Sequence, residues 1–126
     1  MRRRTCLGLL AAACAPTPAA PSASIQLHVD LDVDPTREAE LRAAFRQVFR
    51  PAISKQPGFL EVRLLKVRGA VAGEPPRDAN YRLLIAFDSE QRRQAWVAGE
   101  DHQRAWPAIE KTLRPGRLRA VLYDVV

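Results

Sequence analysis

NYRLLIAFDSEQRRQAWVAGEDHQRAW, residues 80–106, carries three structural signals in succession. Tyr81, Leu83, Ile85 and Phe87 alternate with Arg82, Leu84 and Ala86, the period of two that marks a strand. Asp88 or Ser89 then supplies an N-cap, because a short side-chain oxygen can accept from the first free N–H groups of a helix. A helix over Glu90 to Ala98 turns Trp96 inward, and Gly99 is placed to stop it. Glu100 or Asp101 caps a further turn that carries His102 and Trp106 before Pro107, and Trp106, Ile109 and Leu113 at i, i+3 and i+7 read as core. Both tryptophans and one of the two histidines fall within eleven positions.

Upstream, Ile25, Leu27, Val29, Leu31 and Val33 alternate with Gln26, His28, Asp30 and Asp32, which predicts a strand over 25–33. Asp34-Pro35 starts a helix, since proline at the first helical position gives up an N–H that would have no partner. Leu41, Phe45, Val48, Phe49 and Ala52 recur at helical spacing and predict a buried stripe, with Pro51 kinking or ending the helix. Pro57-Gly58 reverses the chain into a second strand over 59–67. Leu64-Leu65 breaks its alternation and predicts a β-bulge. Gly69 to Ala79 is a long loop. Beyond the central helices, Pro115-Gly116 turns the chain into a last strand over 118–126. The order is β-α-β-β-α-β, the α+β ferredoxin-like plan, with an antiparallel sheet and helices on one face.

The face with Leu27, Val29, Val62 and Ile85 is the one to receive the helices. The other carries Gln26, His28, Asp30, Glu61, Arg63 and Arg82 beside Phe59, Leu84 and Ala86. Such a mixed face predicts a cover, and a second copy of the chain would bury its apolar groups and enclose a polar-lined cavity.

YRLLIAF-DSEQRRQAWVAGEDHQRAWPAI resembles the antibiotic biosynthesis monooxygenase family, and PAISKQPGF and AVLYDVV fit the same pattern, so the likeness runs from about Ile25 to Val126. The resemblance implies a homodimeric α/β barrel. It also implies chemistry without metal or flavin, in which a phenol or enol loses a proton and its anion reduces O₂. Members that oxidise aromatic polyketides line the pocket with an Asn, a Trp and a Tyr. The corresponding places here are Arg92, Trp96 and His102: the Trp is kept, and the other two depart from the pattern. Haem-degrading relatives carry a ligating His about ten positions after the Trp, where this chain has Trp106.

Each candidate has a plainer role beside the chemical one. Trp96 suits a core anchor as well as a pocket wall. His102, with an ordinary pKa near 6.5, suits a general base at neutral pH or a surface residue of a first helical turn. His28 is the rival base, with Asp30 two residues on along the strand to orient and charge its ring. Arg82 and Arg63 serve to bind an oxyanion or to pair with Glu61. No Asp or His cluster has metal-ligand spacing, and no cofactor is expected.

The 20 basic and 14 acidic residues give +6, but Arg2, Arg3 and Arg4 belong to a predicted signal; the remaining 17 against 14 leave +3. Basic residues interleave with acids, as in Arg37-Glu38 and Glu110-Lys111, which argues against a nucleic-acid surface. The three arginines, the short apolar run from Cys6 to Ala13 and the small residues after it read as an export signal, too short to span a bilayer. Arg3-Arg4 resembles a twin-arginine signal. Ala11-Ala12-Ala13-Cys14 resembles a lipobox, which makes Cys14 a candidate for lipidation and membrane anchoring. Ordinary signal cleavage within 15–24 is the alternative. Residues 1–24 are therefore export signal and linker, and 25–126 form one domain, placed in the periplasm or cell envelope.

The expected function is a cofactor-independent monooxygenase acting on a quinol or polycyclic phenol, with His102 or His28 as base and Trp96, Arg92, Arg82 and Asp30 holding the substrate. The alternatives are a non-catalytic binder of a small aromatic or hydrophobic ligand and, third, a haem-binding or haem-degrading member.

Overall fold

The computed structural model describes residues 24–116 and 118–126; the segment expected to be an export signal, with Cys14, lies outside the described residues. Four strands form one antiparallel sheet: β1 (Ile25–Leu31), β2 (Phe59–Lys66), β3 (Tyr81–Phe87) and β4 (Arg119–Asp124), in the order β2-β3-β1-β4. The helices are α1 (Glu38–Ala44), α2 (Arg50–Ser54), α3 (Glu90–Ala98) and α4 (Glu100–Glu110). This is the ferredoxin-like arrangement. No helix among the described residues is long and apolar enough to cross a membrane.

The central strands follow their alternation. Leu27 lies opposite Ile85 and Val29 opposite Leu83, so these side chains share one face and meet the helices there. Val29, Leu31, Leu83, Ile85 and Phe87 are buried in one core with Leu41, Phe45, Phe49, Ile53 and Trp96. Val33 falls just beyond β1 in an isolated bridge to Leu113. The Asn80 amide pairs with both the N–H and the C=O of Val33, at 2.8 and 2.9 Å, as a strand neighbour would.

Three expectations are corrected. Pro51 does not end the first helix: a π-helical segment, Phe45–Phe49, precedes it, and the helix runs on through α2. The Arg50 N–H reaches back five residues to the Phe45 carbonyl. This wider turn accommodates a ring that clashes with, and cannot donate to, an ordinary α-helical turn. The extra residue per turn rephases the stripe to Leu41, Phe45, Phe49 and Ile53, and Val48 is left 40% exposed. Pro107 likewise lies inside α4, which continues to Glu110.

The second correction concerns β2, whose irregularity falls between Phe59 and Glu61, not at Leu64-Leu65. Leu60 is the extra residue and is 55% exposed. The bulge returns Phe59 to the core face, edge-on to Phe87 at 6.1 Å. Leu65, not Phe59, therefore joins the outer face.

The third concerns the start of α4. Gly99 in an extended conformation ends α3 and begins α4, and Glu100 and Asp101 sit in the first turn without capping it. The Gly99 N–H bonds the Trp96 carbonyl at 3.1 Å, and the Gly99 carbonyl accepts from Gln103 at 3.3 Å. One residue thus joins two helices at an angle, which folds His102 back towards Trp96.

Candidate functional site

A cavity of about 210 Å³ lies between the sheet and the helices, on the covered face. Leu27 and Val29 of β1 with Leu83 and Ile85 of β3 make its floor. Trp96, Val97, His102 and Trp106 of α3 and α4 form the opposite wall. Ten of the twelve lining residues are apolar; the two ionisable ones are Arg93 and His102.

Local sequence rules place this wall. The Ser89 hydroxyl caps α3 by accepting from the Arg92 N–H at 3.2 Å. From that start Arg93, Trp96 and Val97, three and four residues apart, share one side of the helix and face the cavity. Trp96 is 2% exposed and meets the Phe49 ring edge-to-face at 5.8 Å. The His102 ring stands edge-on to Trp96 at 5.1 Å and lies nearly parallel to Trp106 at 6.4 Å, with 11° between the planes.

His102 Nδ1 is buried and has no hydrogen-bond partner. An unpaired polar atom of this kind costs free energy unless a ligand or water completes it. Burial pushes the His102 pKa below the ordinary 6.5, because the charged ring loses hydration, and the Arg93 guanidinium lowers it further. At neutral pH the ring is a neutral imidazole able to accept a proton. Arg93 is fixed by two bonds to the Glu90 carboxylate, at 2.6 and 2.7 Å, with its side chain only 18% exposed.

Of the residues singled out from sequence, the fold brings Trp96 and His102 together. It leaves Arg92 outside the cavity, stretched over Gly58 and 3.9 Å from the Asp88 carboxylate. A Cβ on Gly58, whose φ is +81°, would collide with Arg92 and Asp88, so the glycine is what admits that packing. Arg93, the next residue, was missed. Its signal was its i,i+3 relation to Trp96, equal in strength to the i,i+4 relation of Arg92.

His28, Asp30 and Arg82 lie on the outer face. The Asp30 carboxylate is taken by Arg82 Nε at 2.9 Å and Arg119 Nη1 at 3.4 Å, one from each neighbouring strand, so it does not charge the His28 ring as expected. His28 instead bonds Gln26 at 3.0 Å and packs on Tyr123 at 4.6 Å. Its pKa also lies below the ordinary 6.5, through burial first and Arg82 second, with Asp30 opposing. Arg63 pairs with Glu61 on its own strand. Trp106, Leu118 and Ala120 also wall a second, polar cleft of about 810 Å³ that holds the Arg114–Asp32 pair.

A family model described as antibiotic biosynthesis monooxygenase matches residues 24–108. Among solved structures, the chain is similar to a candidate antibiotic biosynthesis monooxygenase of Caulobacter crescentus CB15, at 19% identity and a TM-score of 0.67. That match covers 84% of this chain and 92% of the other. It is similar to SnoaB, a cofactor-independent oxygenase from Streptomyces nogalater (16%, TM-score 0.59, covering 85% and 95%). A dimeric ferredoxin-like protein of unknown function from Jannaschia sp. CCS1 also matches (19%, TM-score 0.68, covering 81% and 99%). At these identities the likeness is one of fold. No curated protein matches the chain.

Proposed function

The chain belongs to the antibiotic biosynthesis monooxygenase family, and on that premise we propose that it oxidises a quinol or polycyclic phenol, without a cofactor, in the cavity between sheet and helices. The observation that carries this reading is His102, a neutral imidazole with an unpartnered, buried Nδ1 in an otherwise aromatic and aliphatic enclosure. It would take the proton of the substrate hydroxyl, and Trp96 and Trp106 would hold the ring system. The resulting anion is electron-rich enough to reduce O₂ directly. One oxygen atom becomes a new carbonyl at a ring carbon, and the other leaves as water with the hydrogen of that carbon and the hydroxyl hydrogen, so phenol and O₂ give quinone and water. The apolar lining limits the access of water to the anion.

Oxygen uptake with a panel of naphthols, naphthohydroquinones and anthrones under ¹⁸O₂, with and without the protein, tests the proposal. Protein-dependent uptake with one labelled oxygen atom in the product is expected, and uptake that yields only hydrogen peroxide and unlabelled quinone would refute it. The apolar lining equally favours plain binding of an aromatic ligand. If a ring compound quenches tryptophan fluorescence but no compound in the panel is oxidised, the chain is a binding protein and the catalytic reading falls.

The proposal includes a homodimer built on the outer sheet face, where Leu65, Val121 and Tyr123 are 42%, 39% and 45% exposed beside Leu84. Together with both faces of β4, this surface is more apolar than a solvated sheet usually leaves open. Sedimentation is expected to give twice the monomer mass; a monomer at micromolar concentration would refute the dimer. Export with acylation of Cys14 completes the proposal. Labelled palmitate is expected to enter the protein and to be lost on Cys14→Ser, and label that survives the change would dismiss the lipobox.

A further inference from the structure

Of the two ionisable side chains that line the cavity, only Arg93 carries a permanent charge. We infer that Arg93 is the anion-binding group of this cavity, receiving the deprotonated oxygen of an acidic aromatic ligand, so that the site selects phenolates over neutral rings. The inference rests on the proposed reading of the cavity and adds to it the group that holds the anion.

The geometry of the Glu90 pair is the first support. Glu90 accepts from Arg93 Nε and from one Nη2 hydrogen. A guanidinium has five N–H donors in a fixed plane, so this side-on pairing leaves three of them. Among the described residues, no other protein group accepts from the Arg93 guanidinium. Glu90 is itself held by the Gln94 amide at 3.0 Å, so the guanidinium is anchored on one edge and available on the other. Anchoring matters because a preorganised donor does not have to reorient when charge develops on the ligand.

The second support is the rest of the wall. Burying a phenolate against Trp96, Trp106 and the aliphatic floor would strip its hydration and favour the neutral phenol. With a neutral His102 the cavity contains nothing else to offset that penalty. The charge of Arg93 is already felt on the same wall, where it helps keep His102 unprotonated. A single cation thus acts in two ways that agree: it keeps the base free to take a proton and receives the anion that results.

The test uses 2-naphthol, whose neutral and ionised forms differ in absorption, and needs no turnover. Bound 2-naphthol is titrated against pH in the full-length protein and in Arg93→Gln, Arg93→Lys and Glu90→Gln variants. The titration runs well above the His102 range, where that ring stays neutral. In the wild type the bound pKa is expected to lie at least one unit below that of free 2-naphthol, a tenfold preference for the anion. In Arg93→Gln it is expected to rise above the free value, because only desolvation remains. Arg93→Lys should retain part of the downward shift, and naphthalene affinity should change less than twofold in every variant. The same bound pKa in wild type and Arg93→Gln overturns the inference, as does a failure of 2-naphthol to bind. A shifted pKa with no oxygen uptake for any quinol sustains the anion site and removes the monooxygenase reading, so the two fail separately.

Discussion

His102→Gln is expected to lower turnover roughly 10²-fold or more, the range over which a positioned general base contributes. Glutamine keeps a polar group of similar reach but cannot accept a proton at neutral pH. The pH profile should move with it. The wild-type rate should rise as pH climbs through a pKa below 6.5, because burial and Arg93 disfavour the imidazolium, and it should plateau above that value. In His102→Gln the residual rate should lose this limb. His28→Gln is the control, since His28 is also held below 6.5 but lies on the other side of the sheet. It should leave both rate and profile in place. Steady-state rates from pH 5 to 8 on one oxidised quinol decide between them, and a His102→Gln enzyme with full activity would end its role as base.

The same depressed proton affinity has a consequence for stability. Below about 6.5 the unfolded chain takes up a proton at position 102 that the folded chain resists. The unfolded state therefore binds more protons there, and stability is lost as pH falls from 6.5 towards the lower folded-state pKa. Thermal melts of His102→Gln should show a shallower decline over that window.

Trp96→Ala is expected to destabilise the domain by about 3–5 kcal/mol, the usual range for removing a fully buried large aromatic side chain. The ring is 2% exposed and is clasped by Phe49 on one side and His102 on another, so its removal opens a void that α3 cannot close without leaving the sheet. For a domain of this size the melting temperature should drop by roughly 10 °C or more. Trp96→Phe separates packing from chemistry. It keeps an aromatic plane with a smaller ring, so most of the stability should remain while the cavity widens. Ligand binding should then weaken more than the chemical step, seen as a raised KM with kcat little changed. Calorimetry on both variants and kinetics on the second test this. An Ala variant that melts with the wild type would mean that Trp96 is not the anchor its burial indicates.

Much of the molecule was legible because local rules act alone at those positions. The alternation of Ile25 to Leu31 and Tyr81 to Phe87 fixes which side chains share a face, since a strand has no other period. Asp34 and Ser89 accept from backbone N–H groups as their side chains require. Trp96 and His102 could be paired from sequence because Gly99 allows only a short joint between their helices.

Other features depend on what lies across from them. Pro51 reads as a kink or a helix end, yet the packing of Ile53, fully buried, holds the helix together past the missing N–H group. The bulge at Leu60 arises because Phe59 gains burial against Phe87, a partner 28 positions away that no local pattern reveals. Whether Arg92 or Arg93 meets the cavity turns on the roll of α3 about its axis, and that roll is set by Trp96 docking on Phe49 and Arg92 lying over Gly58. Asp30 could have served His28 from the same strand, but two arginines from neighbouring strands reach it first. Sequence alone determined the order of elements and the inward faces of β1 and β3, and it put Trp96 and His102 among the candidates that the fold brings together. Tertiary structure decided which arginine stands inside the site, because Arg92 and Arg93 have equally local partners in Asp88 and Glu90, and only the docking of Trp96 on Phe49 sets which of the two faces the cavity.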